Sequence, residues 1–161
     1  MMFKGVAYSK VFTYLILYFA VIIYQTLLAD FFTLGSVRLD LAMILLAYVS
    51  LTMGARQGII FGFGLGLLMD VLNPLWLGAG VLIKGTIGFG MGYLKENLFV
   101  ENVLAKGLVL FGAILINDLL INIFLFHLDL GKIGPLFLQT TLWSAIYTTA
   151  VSGIFLFILR L

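Results

Sequence analysis

Residues 58–93 read GIIFGFGLGLLMDVLNPLWLGAGVLIKGTIGFGMGY, two apolar runs joined at Asn73-Pro74. Gly54, Gly58, Gly62 and Gly66 recur every fourth residue, so in a helix they line one face, with Gly64 off that stripe. Gly80, Gly88 and Gly92 repeat the pattern in the second run, and Lys84 takes the place of its missing member. Small residues at this spacing let helix backbones approach closely, which matters in lipid because water expulsion cannot drive association there. Two readings follow: the smooth face packs the two helices of this hairpin together, or part of it receives a helix from a partner. A nucleotide-binding loop is excluded, because Gly62-Phe63-Gly64-Leu65-Gly66 lacks the third glycine, the strand and the acidic partner such a loop requires.

The rest of the chain has the same character. Of its 161 residues 63% are hydrophobic and 10% charged, against about 45–50% and about 25% in ordinary soluble domains. Nine Lys/Arg and seven Asp/Glu are too few to keep such a surface dissolved. A soluble globular protein, a disordered chain and a nucleic-acid binder are therefore excluded. Without cysteine there is no disulfide scaffold or thiolate metal site, and the single histidine, His127, leaves little for metal chemistry. No poised serine accompanies it, so no catalytic residue and no cofactor is expected.

A helix needs roughly 20 apolar residues to cross the hydrocarbon of a bilayer. Counted this way, the chain is expected to form an all-α integral membrane protein of six transmembrane helices in one compact bundle. The spans fall at about 11–29, 38–54, 58–72, 75–94, 103–126 and 133–159. The first is too long for a signal-peptide core and lacks a small-x-small cleavage site, so it is read as retained. The second and third are short enough to form a tilted or re-entrant hairpin. Basic residues set the orientation. With the N-terminus inside, Lys4, Lys10, Arg56, Lys95, Lys106 and Arg160 are cytoplasmic, and only Arg38 and Lys132 lie outside. Both termini are thus expected in the cytoplasm. Tyr14, Tyr18, Tyr24, Trp76 and Trp143 are expected in interfacial belts.

Two charges fall inside spans, where each costs several kcal/mol unless it meets a partner or a cavity. Lys84 in the fourth span and Asp118 in the fifth both lie roughly 12–14 Å below the outer surface, at about 1.5 Å per residue. They are expected to pair, directly or through water, with Asn122 one turn on helping to satisfy the carboxylate. The alternative is that they floor a polar cavity. Asp70 reads as a solvated acid before the Asn73-Pro74 turn that caps the next helix. Arg38 and Asp40 flank the outer start of the second span as an interfacial anchor. His127, Asp129 and Lys132 form the fifth-to-sixth loop.

The hairpin also resembles a known family. Gly62-Phe63, Gly66, Asp70, a short turn, Leu77-Gly78 and a helix ending in Gly92-Tyr93 are similar to the bacterial rod shape-determining protein family MreD. Arg38-Leu39-Asp40 stands where that family often has Arg-Pro-Asp, and Asp118 matches a further acidic position. The resemblance implies a fold similar to the substrate-binding subunits of energy-coupling-factor transporters. It implies a non-catalytic scaffold of the cell-elongation machinery in the cytoplasmic membrane, supporting peptidoglycan synthesis. The implied direct partner is MreC, bound within the membrane, with MreB, RodA and the elongation transpeptidase linked indirectly. Arg38, Asp40, Gly62, Gly66, Asp70 and Gly78 are the partner-binding residues this suggests. The alternative is the substrate-binding subunit of a vitamin or other small-molecule transporter, using a cavity around Lys84 and Asp118. Beside a membrane lipid environment, no nucleic acid is expected.

Overall fold

Where long apolar stretches leave backbone groups without water, each N–H and C=O must be satisfied within its own segment, and helices do this. The computed structural model describes residues 2–33, 35, 37–73, 78–98, 102–126, 131, 134–135 and 137–158. Among them there are six long helices and no strand. Helix α1 (Met2–Ile23) continues through a π-helical turn at Tyr24–Leu28. Then follow α2 (Leu41–Met53), α3 (Ala55–Leu72), α4 (Ala79–Leu98) and α5 (Val103–Phe126). A second π-helical turn at Phe137–Thr141 leads into α6 (Leu142–Ile158).

Among the described residues three helical segments are long and apolar enough to cross a membrane: Val11–Leu28, Ala55–Leu72 and Val103–Phe126. Helix α2 is apolar but has only 13 residues, which is about 20 Å. It is short because both ends are fixed. Asp40 Oδ1 accepts from the Met43 N–H at 3.0 Å and caps its start. Gly54 ends it with φ 88°, a conformation that disfavours other residues. Residues 38–40, expected inside the second span, are therefore not helical. They run beside α6, with the Arg38 N–H donating to Ser144 Oγ at 3.2 Å and the Asp40 N–H to Thr148 Oγ1 at 3.1 Å. Arg56 and Lys95, expected on the cytoplasmic side just outside the spans, lie within the ends of α3 and α4. Pro74, Trp76, His127, Asp129, Lys132 and Arg160 lie outside the described residues, as do the expected ends of spans at 75, 133 and 159.

The short α2 is the centre of the packing. It touches each of the other five helices, and Met43, Leu46 and Val49 are fully buried. The exterior is apolar: Phe12, Leu15, Ile16 and Phe19 project from α1, and Leu104 and Leu108 from α5. Ser50, Asp70, Lys84, Asn117, Thr141, Thr148 and Ser152 are buried. Large exposed apolar patches around a core that is itself mostly apolar, with these few polar groups enclosed in it, fit surrounding lipid. Tyrosines of α1 and of the turn after it bond to the body of the protein. Tyr14 donates to Gln57 Oε1 (2.7 Å), Tyr18 to the Phe61 carbonyl (3.1 Å) and Tyr24 to the Leu39 carbonyl (2.8 Å). Tyr18 also stacks on Phe61 with ring centres 4.8 Å apart. These contacts attach α1 to the body by polar tips carried on apolar rings.

Helices α3 and α4 make the most extensive contact in the molecule. They run antiparallel with their glycines in register. A Cβ at Gly58 would overlap the Gly88 carbonyl, one at Gly62 the Lys84 carbonyl, and one at Gly66 the Gly80 carbonyl. Position 84 therefore keeps the series with its backbone while its side chain leaves in another direction. The α3 glycine face is filled by α4, so a partner helix expected at Gly62 and Gly66 would find that surface already occupied. Gly62→Leu is expected to abolish recovery of monodisperse folded protein on size exclusion in detergent. Gly112→Ala, with no neighbour within 4 Å of the new methyl, is expected to leave recovery unchanged.

Candidate functional site

The α3–α4 hairpin is locked at one end by Asp70. Its side chain is 2% exposed, so the solvated acid expected from sequence is instead buried. Its Oδ2 accepts from the Gly78 N–H at 2.9 Å and the Val81 N–H at 3.2 Å, and its Oδ1 from the Gly80 N–H at 3.1 Å. The first amides of a helix have no partner within the helix and carry the positive end of its dipole. A carboxylate from the preceding helix supplies what they lack. Gly78, at φ 91°, turns its amide towards Asp70 in a conformation that favours glycine. At the opposite end Glu96 Oε1 accepts from the Ala55 N–H at 2.8 Å, and Lys95 Nζ donates to the Thr52 carbonyl at 3.3 Å. These contacts tie the end of α4 to the α2–α3 junction.

The register set by this hairpin delivers Lys84 to the middle of the protein. Its side chain is 6% exposed, and Nζ donates to Asn117 Oδ1 at 3.3 Å. Asn117 Nδ2 in turn donates to Asp118 Oδ1 at 3.0 Å. Lys84 and Asp118 thus share one polar cluster with Asn117 as the link, and no ion pair closer than 4 Å forms among the described residues. From sequence Asn117 is one of the few polar residues of the fifth span, but the role of satisfying Asp118 is expected of Asn122 and falls to Asn117 instead. The signal was present in α5, whose buried residues Leu110, Ala113, Ile114 and Asn117 follow helical spacing. That stripe turns Asn117 inward and leaves Asp118 to one side.

The cluster forms one wall of a cavity of about 530 Å³ at the Asp70 end of the protein. Arg38, Asp40, Asp70, Lys84, Asp118 and Asn122 all line it. Arg38 is exposed and Asn122 half-buried. Asn122, expected to serve the Asp118 carboxylate, shares the cavity wall with it, while Asn117 and Thr141 make the side-chain hydrogen bonds to that group. Gly62, Gly66 and Gly78 are not on the cavity wall among the described residues and act through the hairpin. Both π-helical turns reach the cavity, through Gln25 and through Thr140 and Thr141. Such widened turns recur at functional sites because they redirect side chains out of the normal helical row. Among the described residues no group of three or more His, Asp or Glu is placed to hold a metal.

An apolar exterior, three membrane-length helices and a buried polar centre define a helical membrane protein. Residues 8–161 match the sequence profile of the family described as rod shape-determining protein MreD. With nearly its whole length matched, the chain belongs to the MreD family, and its role lies in rod-shape determination. That is a family of shape-determining proteins, not one of known enzymes, and the match lends no support to a transporter subunit. No curated protein and no solved structure matches the chain.

The Lys84–Asn117–Asp118 link makes a specific prediction. Asn117→Leu removes the hydrogen-bond partners of both neighbours and is expected to cost about 2–3 kcal/mol, read as a lower unfolding midpoint in detergent. Asn117→Asp, which keeps an acceptor for Lys84, is expected to retain more of that stability.

Proposed function

We propose that the chain is a non-catalytic scaffold subunit of the bacterial cell-elongation machinery in the cytoplasmic membrane. It crosses the membrane six times with both termini in the cytoplasm, as a compact bundle similar to energy-coupling-factor substrate-binding subunits. It binds MreC directly within the membrane. Through MreC it is linked to MreB, RodA and the elongation transpeptidase, and so supports peptidoglycan synthesis along the cell wall.

The observation that carries this reading is the family match over residues 8–161. The placement of the few polar residues supports it. Asp70, Asp40 and Glu96 each accept from a main-chain amide at a helix start, so these three acids hold helices together. Arg38 is an exposed basic residue at the Asp70 end and is the outer contact assigned to MreC. Gly62, Gly66, Gly78 and Asp70 contribute indirectly, by holding the hairpin that presents this end.

Co-expression with tagged MreC and purification in mild detergent tests the proposal. The wild-type chain is expected to co-purify, and Arg38→Glu to fold normally but be recovered at least fivefold less. In cells depleted of the native protein, the wild type restores rod shape and Arg38→Glu restores it poorly. A folded wild-type chain that leaves MreC behind removes the scaffold reading.

A further inference from the structure

Two polar side chains near the end of the molecule opposite Asp70 lack partners. Lys106, in the first turn of α5, is half-buried, and its Nζ makes no hydrogen bond or ion pair among the described residues. The hydroxyl of Tyr48, on α2, is also unbonded among them. Both residues line one cleft between α2, α5 and α6.

The cleft has two zones. Ile44, Ala47, Leu51 and Leu110 are buried and form an apolar floor. Exposed Thr52, with half-buried Tyr48 and Lys106, forms a polar edge. The enclosed volume is only about 20 Å³, little more than the roughly 10–15 Å³ that one water needs. A globular solute is too large for it. Water would find few partners on that floor, whereas a slender methylene chain can lie along it with its other side against the surrounding lipid.

The charge around the cleft is positive. No carboxylate lines it among the described residues. Lys95 donates to the Thr52 carbonyl at the polar edge, and the nearby Glu96 is bonded to the Ala55 amide. Counted from the sequence, this end of the spans holds Lys4, Lys10, Arg56, Lys95, Lys106 and Arg160 against Glu96 and Glu101. An apolar groove with a basic, hydroxyl-bearing edge matches an amphiphile with an anionic head.

We infer that this cleft binds one anionic phospholipid. An acyl chain lies along the apolar floor, and the headgroup phosphate is held by the Lys106 ammonium and the Tyr48 hydroxyl. Both groups are donors that the protein itself leaves unused. A zwitterionic lipid is disfavoured, because its own ammonium would sit among the basic residues. The bound lipid closes the seam where α2 meets α5 and α6. The site rests on the membrane reading of the fold and not on MreC, whose assigned contact is at the other end.

The experiment is native mass spectrometry of the full chain released from neutral detergent. The protein is incubated with dioleoyl phosphatidylglycerol or dioleoyl phosphatidylcholine at equal concentration, with glycerol 1-phosphate as a soluble competitor. One phosphatidylglycerol is expected to be retained in preference to phosphatidylcholine, and glycerol 1-phosphate not to displace it. Lys106→Gln is expected to weaken retention about fivefold, and Tyr48→Phe about twofold or more. Arg56→Gln removes an exposed charge at the same end that is not on the cleft wall, and is expected to have little effect.

Equal retention of the two lipids overturns the inference. So does an equal loss in Lys106→Gln and Arg56→Gln, since the attraction would then be diffuse. Displacement by glycerol 1-phosphate at a concentration comparable to the lipid overturns it too, because the site would then be one for a free anion. If Lys106→Gln does not fold, Tyr48→Phe is compared with Arg56→Gln by the same criteria.

Discussion

The carboxylate of Asp70, enclosed by the first amides of α4, is the interaction on which the rest of the structure depends. The start of a helix cannot satisfy those amides itself. Asp70 does so from the end of the preceding helix, and its charge meets the positive end of the α4 dipole. One side chain thereby closes the turn, caps the helix and fixes where α4 begins relative to α3. The glycine faces then allow only close antiparallel contact. With the start of α4 fixed, Gly62 meets the Lys84 carbonyl and Gly58 meets Gly88.

That register has a consequence at a distance. Because residue 84 contributes its backbone to the helix contact, its side chain is free to point towards α5, where Asn117 receives it. A slip of one residue would rotate the lysine by about 100° and place its charge against apolar neighbours or lipid. The polar centre therefore depends on the hairpin. The cavity in turn depends on the polar centre, since Lys84, Asn117 and Asp118 form one of its walls. Helix α2 holds this arrangement together by touching every other helix, with its two ends fixed by the Asp40 cap and the Gly54 turn.

Much of the helical layout was legible in the sequence because lipid imposes simple rules of length and polarity. The glycine spacing identified a packing face, and the two intramembrane charges were correctly placed within reach of one polar cluster. What sequence missed depends on three-dimensional direction. That Asp70 caps the next helix was anticipated, but that it does so buried and not solvated depends on the turn that follows it, and the residue type is the same in both cases. The link to Asp118 was expected of Asn122, although helical spacing from Leu110 and Ile114 points Asn117 inward. Tyr14, Tyr18 and Tyr24 each find a hydrogen-bond acceptor within the protein. Composition alone did not reveal those acceptors.

The central role of Asp70 is tested most directly by hydrogen–deuterium exchange at the amides of Gly78, Gly80 and Val81 in detergent-solubilised protein. First-turn amides of a helix ordinarily exchange quickly because they lack partners within the helix. With the Asp70 carboxylate in place, these three are expected to be protected, and Asp70→Asn to accelerate their exchange at least tenfold while amides in the middle of α5 change little. Equal exchange rates at these three amides in the wild type and Asp70→Asn would contradict the account.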